Sequence, residues 1–316
     1  METSLAGHRA MGAQQRARSG RQASDNLTIA LFLAPALLIF LVLVIYPILQ
    51  SVYYSLFNWK GLGPAVDFIG LDNYVRILSD AIFLKAVGNG LLIVLMSLGI
   101  QLPLSLLLAL MVGRDLPGRA VFRTIFFLPY VFSEVIVALI WLGLYNPDPD
   151  RGFLNALLVL IPGVKAQPWL GDTSLVMACL FVVLTWKYFG LHMLLYMAGV
   201  QNIPGEVEEA ARMDGANRRQ LLTYITLPLL SGTIRTSVYL SVVGSLQQFI
   251  LVWIMTKGGP VNASEVMATY MYRFGFVRFW LGYGCAVALV MFLMCLIFSL
   301  IYQYLAARRP DYLGGM

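Results

Sequence analysis

Six stretches of the sequence are apolar over the length that a helix needs to cross a lipid bilayer. A helix requires roughly 20 apolar residues to span the hydrocarbon core. Irregular backbone cannot face lipid, so we predict that each stretch is a helix. The chain is therefore expected to be an all-α membrane protein with six transmembrane helices. The stretches cover approximately residues 27–57, 86–112, 120–145, 174–199, 229–255 and 282–307.

The composition supports lipid as the main solvent. Of the 316 residues, 59% are hydrophobic and 12% are charged, whereas a soluble domain has about 25% charged residues. The net charge of +6 comes from Lys and Arg residues scattered singly between apolar runs. That pattern indicates membrane topology, so we expect membrane lipid and no nucleic acid among the partners.

The charge pattern also predicts which side each end occupies. Six spans would place both ends on one side, and cytoplasmic loops are enriched in Lys and Arg. The two ends and the even-numbered loops carry twelve such residues, against eight in the opposite loops. We therefore expect a multi-pass protein of the bacterial inner membrane with a cytoplasmic tail at 1–26, a six-helix domain at 27–307 and a cytoplasmic tail at 308–316. The first apolar run is too long for a cleaved signal peptide, so we expect it to be retained.

Residues for catalysis or metal binding are scarce. The chain has three cysteines, all within apolar runs, and two histidines. It contains no Gly-Lys dipeptide, so it lacks the usual nucleotide-binding loop, and no Gly-x-Ser-x-Gly sequence. We predict no catalytic residue, no metal site and no cofactor bound by this chain.

One loop, at 200–228, has the pattern of a rigid hairpin. Pro204 is suited to the first turn of a helix, and three glutamates follow at its positive end. Ala210 and Ala211 keep one face small, Gly215 ends the helix, and a second helix runs to Pro228. We predict a protruding helix–turn–helix whose smooth face allows close approach of a partner protein.

The hairpin sequence resembles a known signature. Glu-Ala-Ala, three residues, glycine, nine residues and Ile-x-Leu-Pro is the cytoplasmic "EAA" motif of permease subunits in binding-protein-dependent ABC importers. The resemblance implies the type I importer permease fold. It also implies that this loop is the coupling helix that docks on the ATPase subunit. The residues that match and would make that contact are Glu209, Ala210, Ala211, Asp214 and Gly215.

Further segments resemble one branch of that family, the maltose, glycerol-phosphate and oligosaccharide permeases. The segments are Phe68 to Tyr74, Arg119 to Tyr130, and Gly258-Gly259-Pro260 with Tyr270-x-Tyr272. Unlike the maltose permease, the chain has no additional N-terminal spans and no large inserted outer domain. That departure weakens an assignment to maltose but leaves the branch unchanged.

Several polar residues lie within the apolar stretches. Glu134 and Lys187 are charged, and charges at membrane depth are costly enough to be functional candidates. They fit a structural ion pair, a snorkelling lysine or contact with substrate. Ser241, Ser245 and Gln248 recur at i, i+4 and i+7, so they share one helix face. That face fits either interhelical hydrogen bonding or the lining of a translocation path.

The resemblance favours the second interpretation for these polar residues. A sugar site combines aromatic faces with hydroxyl, amide and carboxylate groups. By alignment with the maltose permease pattern, the residues implied to line the substrate pathway are Tyr130, Glu134, Lys187, Leu191, Ser241, Ser245 and Gln248.

The resemblance also implies the assembly in which the chain works. It predicts a second homologous permease, an ATPase dimer that carries ATP and Mg, and an extracytoplasmic sugar-binding protein. The expected function is uptake of a disaccharide or oligosaccharide by alternating access. Two alternatives remain open on the residues alone. An ion-coupled secondary transporter would use Glu134 as a proton site but leaves the hairpin unexplained, and a membrane-embedded enzyme would need catalytic residues that we do not find.

Overall fold

The computed structural model describes residues 28–112 and 118–307, without the side chains of Arg119 and Ala307. The predicted tails at 1–26 and 308–316, and Arg114 among the cytoplasmic cations, lie outside the described residues. The chain divides into two compact units, Met1–Tyr54 and Ser55–Met316.

The described part of the first unit belongs to one helix, α1 (Thr28–Ser55). Its side chains are apolar and almost all exposed, with a mean hydropathy of 3.0 over its most apolar window. A helix that is apolar on every side is suited to lipid or to another hydrophobic surface. The length and apolar surface of α1 are therefore those of a membrane-spanning helix.

The second unit is helical, and within the described residues its extended structure is limited to one isolated bridge between Phe57 and Phe68. Several long elements contain short π-helical turns or breaks and are named here as single helices. The helices of this unit are α2 (Asp72–Ser79), α3 (Ala81–Val112), α4 (Arg119–Val131), α5 (Glu134–Leu144), α6 (Phe153–Leu158), α7 (Val176–Gln201), α8 (Gly205–Met213), α9 (218–229), α10 (Ser231–Met255), α11 (Met267–Tyr272) and α12 (Leu281–Ala307).

Five of the described helices, α1, α3, α7, α10 and α12, are long and apolar enough to cross a membrane. They agree with five of the six predicted spans. The third predicted span, 120–145, is not one straight helix: α4 and α5 meet at an angle of 98° across a short break. The two together complete the six predicted crossings if the bent pair is counted as one span.

Prolines explain three of the four π-helical turns among the described residues. A proline ring collides with the carbonyl group four residues earlier and removes one helical hydrogen bond. A π turn, which contains one additional residue, relieves that collision. The π turns at 41–45, 97–101 and 222–226 each contain the residue four positions before a proline, namely before Pro47, Pro103 and Pro228.

Helix α7 packs closely against both α3 and α4. A Cβ atom added at Gly190 would lie 2.1 Å from the backbone oxygen of Phe126, so only glycine permits this approach of α7 to α4. On the other side, the buried Ser105 hydroxyl of α3 donates to the Phe189 carbonyl at 3.0 Å. Helix α7 is thus fixed between two neighbours at the depth where its polar residues lie.

The loop between α10 and α11 is held by a buried ion pair. Arg273 Nη2 lies 2.6 Å from Glu265 Oε2, and Glu265 is fully buried. The same guanidinium donates to Asn262 and to the Lys257 carbonyl. Burial raises the pKa of the Glu265 carboxyl, and the adjacent Arg273 opposes that shift. The loop that carries the predicted Gly258-Gly259-Pro260 turn is therefore internally braced.

Candidate functional site

A polar cavity of about 210 Å³ lies between α3, α4, α7 and α10. Its walls combine apolar side chains with hydroxyl, amide, imidazole and phenol groups. None of the lining side chains is a Lys, Arg, Asp or Glu. The lining residues are Ile93, Ser97, Gln101, Tyr130, Leu184, Tyr188, Leu191, His192, Leu240, Ser241, Gly244, Ser245 and Gln248.

Two groups on the α10 wall lack a partner. Ser241 and Gln248 are 6% and 7% exposed, and neither Ser241 Oγ nor Gln248 Nε2 has a hydrogen-bond partner among the described residues. A buried polar group without a partner costs about 1–3 kcal/mol. Unpartnered groups that face a cavity indicate a place where a polar ligand can supply the missing hydrogen bonds.

The opposite wall comes from the π turn of α3. Ser97 and Gln101 both belong to this turn, and the Ser97 hydroxyl donates to Gln101 Oε1 at 2.7 Å. This bond occupies the carbonyl end of the amide, which leaves the Gln101 NH₂ group as a hydrogen-bond donor. Both side chains are nearly buried. The π turn associated with Pro103 therefore brings two polar groups to the cavity.

The structure brings together five of the seven residues predicted for the substrate pathway. Tyr130, Leu191, Ser241, Ser245 and Gln248 all line the cavity. Ser241 and Ser245 share a helix face as predicted, whereas Gln248 reaches the same cavity from the break at 247–249 within α10. Contact of any of the five with substrate stays a prediction.

Sequence reasoning missed four polar members of the lining, Ser97, Gln101, Tyr188 and His192. A signal was present for three of them. Ser97 and Gln101 have the i, i+4 spacing of one helix face just before a proline, and His192 is one of only two histidines. Tyr188 carries no such signal, since an aromatic residue in an apolar helix is common.

Lys187 and Glu134 are not among the residues that line the cavity. Lys187 is 4% exposed, and its ammonium group donates to the carbonyl groups of Pro129 at 3.3 Å, Tyr130 at 2.7 Å and Phe132. These carbonyls lie at the end of α4, where the chain bends toward α5. A cation there satisfies acceptors that lost their helical donors and stabilises the negative end of the helix.

Glu134 has a separate partner. It occupies the first turn of α5, where a carboxylate is favoured by the helix dipole, and its Oε1 accepts a hydrogen bond from the Tyr188 hydroxyl at 2.5 Å. The two charges therefore do not form the direct ion pair considered above, and Lys187 does not snorkel. Both lie at the bend between α4 and α5, Lys187 beside the Tyr130 ring and Glu134 bonded to Tyr188.

The predicted hairpin is present at 204–229. Helix α8 begins after Pro204, which is the N-cap residue rather than part of the first turn as predicted, and Gly215 follows the helix with a φ of +86°. Helix α9 begins with a capping box in which Asn217 and Gln220 bond each other's backbone amides. The turn of the hairpin is thus formed by local interactions, namely the backbone conformation of Gly215 and the capping box of α9.

The surface of the hairpin is suited to a protein contact. Glu209 and Ala210 are exposed, and two larger side chains near the turn are exposed as well, Met213 at 88% and Tyr224 at 77%. A Cβ atom at Gly215 would meet nothing within 4 Å, so the glycine is required by its positive φ and not by crowding within the chain. Beside it, Asp214 and Gly215 contribute to a shallow depression.

The apolar crossings, the cavity between α3, α4, α7 and α10, and the exposed hairpin are the features to be compared with known membrane proteins. The chain matches the family of inner-membrane components of binding-protein-dependent transport systems over residues 101–309. It belongs to this family, and it is a permease subunit of an ABC importer. Of the interpretations left open by the sequence, this membership supports the importer permease.

Individual relatives agree over most of the chain. A probable ABC transporter permease protein of Pyrococcus horikoshii is 34% identical, over 92% of this chain and 99% of the relative. The diacetylchitobiose uptake system permease protein of Streptomyces coelicolor is 31% identical, over 90% of this chain and 84% of the relative.

The fold is also found in a solved structure. A chain of a bacterial alginate ABC transporter, in complex with an alginate pentasaccharide-bound periplasmic protein, superposes with a TM-score of 0.80. The match covers 92% of this chain and 98% of that chain at 24% sequence identity. This likeness establishes the permease fold predicted from the sequence.

The separate partners of the two charges predict non-equivalent substitutions. Lys187→Met should destabilise the protein by about 1–3 kcal/mol or more, because it leaves buried carbonyl groups without a donor. Glu134→Gln should cost less, since an amide oxygen can still accept from Tyr188. The measurement is thermal unfolding of the purified assembled complex. The double variant should be no more stable than Lys187→Met; recovery in the double variant would show a direct pair and contradict this interpretation.

Proposed function

We propose that the chain forms, together with a second homologous permease, the pathway for uptake of a neutral sugar, either a disaccharide or an oligosaccharide. The observation that carries the proposal is the cavity, whose polar groups are all uncharged. Aromatic faces at Tyr130 and Tyr188 and hydrogen-bonding groups at Ser241 and Gln248 are the chemistry that a polyhydroxylated ring requires. The relative named for diacetylchitobiose uptake supports the same substrate class.

The size of the cavity supports a shared pathway. Pockets for small ligands usually measure about 300–1,000 Å³, whereas this cavity measures about 210 Å³. It therefore suits one face of a site whose other face comes from the second permease. In this proposal the sugar crosses between the two subunits, in contact with the α7 and α10 walls.

The energy would enter through the hairpin. We assign ATP and Mg to a dimer of ATPase subunits, and the hairpin to the cleft in which each ATPase receives a permease. Glu209, Ala210, Ala211, Asp214 and Gly215 would form that contact. This chain would catalyse no covalent step and bind no cofactor, and an extracytoplasmic sugar-binding protein would deliver the substrate.

This assignment implies an orientation in the inner membrane. The hairpin and both termini would be cytoplasmic, while Asp150 and Asn262 would lie outside. The excess of Lys and Arg on the hairpin side supports this orientation. Labelling of a cysteine at position 218 by an impermeant reagent added to intact cells would contradict it.

The cavity predicts a substitution that removes transport without disrupting the fold. Gln248→Leu and Ser241→Ala delete groups that have no partner within the described residues, so neither change breaks an internal hydrogen bond. Each should lower the maximal rate of sugar uptake by about three- to tenfold, the equivalent of one hydrogen bond. Uptake is measured with the reconstituted importer and a panel of radiolabelled sugars: lactose, maltose, trehalose, N,N′-diacetylchitobiose and arabinotriose.

The matched control for this experiment is Thr236→Ala on the same helix, where the exposed hydroxyl donates only to the Gly232 carbonyl four residues earlier. The control should transport at the wild-type rate. If the wild-type importer moves none of the panel, or if both cavity variants transport normally, the proposed sugar pathway is wrong.

The hairpin predicts a second effect. Gly215→Val requires a β-branched residue at a φ of +86°, which distorts the turn. Glu209→Lys reverses a charge on the proposed contact. Both variants should insert into the membrane normally but should assemble poorly with the ATPase. Sugar uptake should then fall by at least about tenfold. Gly205→Ala is the control, because a Cβ atom there meets nothing within 4 Å and the φ is not positive. Normal uptake by Gly215→Val at normal expression would refute the coupling role.

A further inference from the structure

The buried histidine of α7 is left unexplained by the pathway residues considered so far. His192 is 3% exposed, lines the cavity and bonds Ser237 of α10 through Nδ1 at 2.7 Å. We propose that His192 is a substrate-contacting residue that selects among sugars, with Ser237 as its positioning residue. This proposal rests on the proposed sugar pathway and adds to it a residue of α7 that the resemblance did not assign to the pathway.

The position of His192 is set by two neighbouring helices. Ser237 is fully buried and lies one turn before Ser241 on the same helix, so the bond to His192 Nδ1 forms at the end of the cavity nearer the hairpin. Tyr196, which is buried, lies one turn further along α7. The imidazole is therefore held in one orientation by groups that face away from the cavity.

The bond to Ser237 determines what the ring can offer a ligand. An imidazole has two nitrogens, and in its neutral form one donates while the other accepts. Nδ1 is occupied by Ser237, so Nε2 is the nitrogen available to a sugar hydroxyl. If the Ser237 hydroxyl donates to Nδ1, the ring proton lies on Nε2 and that nitrogen donates to the ligand; if Nδ1 donates to Ser237, Nε2 accepts from the ligand.

Gln101 provides a second hydrogen-bonding group for the same ligand. Its carbonyl oxygen is occupied by Ser97, and its NH₂ group remains available on the cavity wall formed by α3. Two hydrogen-bonding groups held in place by neighbouring side chains discriminate better than mobile ones, because a sugar lacking the matching hydroxyl leaves a buried polar group unpaired. His192 and Gln101 thus present two such groups to the cavity that the Ser241 and Ser245 hydroxyls of α10 also line.

Two substitutions separate contact with sugar from contact with Ser237. A glutamine side chain places its terminal amide near the position of Nε2, whereas an asparagine places its amide near the position of Nδ1. His192→Gln keeps the group that faces the ligand and loses the bond to Ser237. His192→Asn keeps the bond to Ser237 and loses the group that faces the ligand.

The measurements are the maximal uptake rate for each sugar of the panel above and the ATP hydrolysis stimulated by the binding protein, both on the reconstituted importer. His192→Asn should lower uptake by about three- to tenfold, as expected for one lost hydrogen bond. It should also change the order of preference among the sugars while ATP hydrolysis continues. His192→Gln should retain the wild-type preference with a smaller loss of rate.

Ser237→Ala completes the test, and Thr236→Ala on the adjacent exposed position is its matched control. If Ser237 positions the ring, its loss should weaken sugar discrimination, and Gln101→Leu should do the same. Normal uptake and preference in His192→Asn, with impaired assembly in His192→Gln, would show a structural link and overturn the proposal. If the variants of Ser241 and Gln248 reduce uptake but those of His192 do not, this inference fails while the sugar pathway stands.

Discussion

The ammonium group of Lys187 supports the arrangement on which the cavity depends. The third membrane crossing is broken at Phe132 and Ser133, and a break at membrane depth frees carbonyl groups that lipid cannot satisfy. A single buried cation bonds three such carbonyls. Because the break is satisfied internally, α4 can direct Tyr130 toward the cavity while α5 turns away by 98°. A charge that the sequence suggested as a ligand is thus a support for the pathway wall.

Irregular helix geometry supplies the other polar wall. Pro103 forces a wide turn in α3, and that turn carries Ser97 and Gln101. The hairpin has the same combination of a π turn and a following proline, since Pro228 follows the π turn at 222–226. In both places a proline that weakens a regular helix occurs where side chains face the cavity or the exposed surface of the hairpin. The costs are local, and π turns frequently accompany functional sites for this reason.

The sequence predicted the features that depend on local chemistry and missed those that depend on tertiary contacts. Apolar length identified the crossings, and the pattern of proline, glutamate, alanine and glycine identified the hairpin. The common face of Ser241 and Ser245 follows from helical periodicity and is observed, whereas Gln248 lines the same cavity from a break in the helix that its spacing did not indicate. The break within 120–145 was missed because the apolar run continues through it. The carbonyl partners of Lys187 and the Ser237 partner of His192 lie 45–58 residues away in the chain, and no periodicity reveals them.

The absence of charged side chains from the described lining of the cavity has a consequence for energetics. Moving one elementary charge through a membrane potential of 100 mV involves about 2.3 kcal/mol. A neutral solute that is bound only by uncharged groups crosses the membrane without this electrical work. With Glu134 and Lys187 each engaged by other protein groups, the voltage neither drives nor opposes passage of such a solute. Accumulation against a gradient would then depend wholly on mechanical work delivered from outside the bilayer.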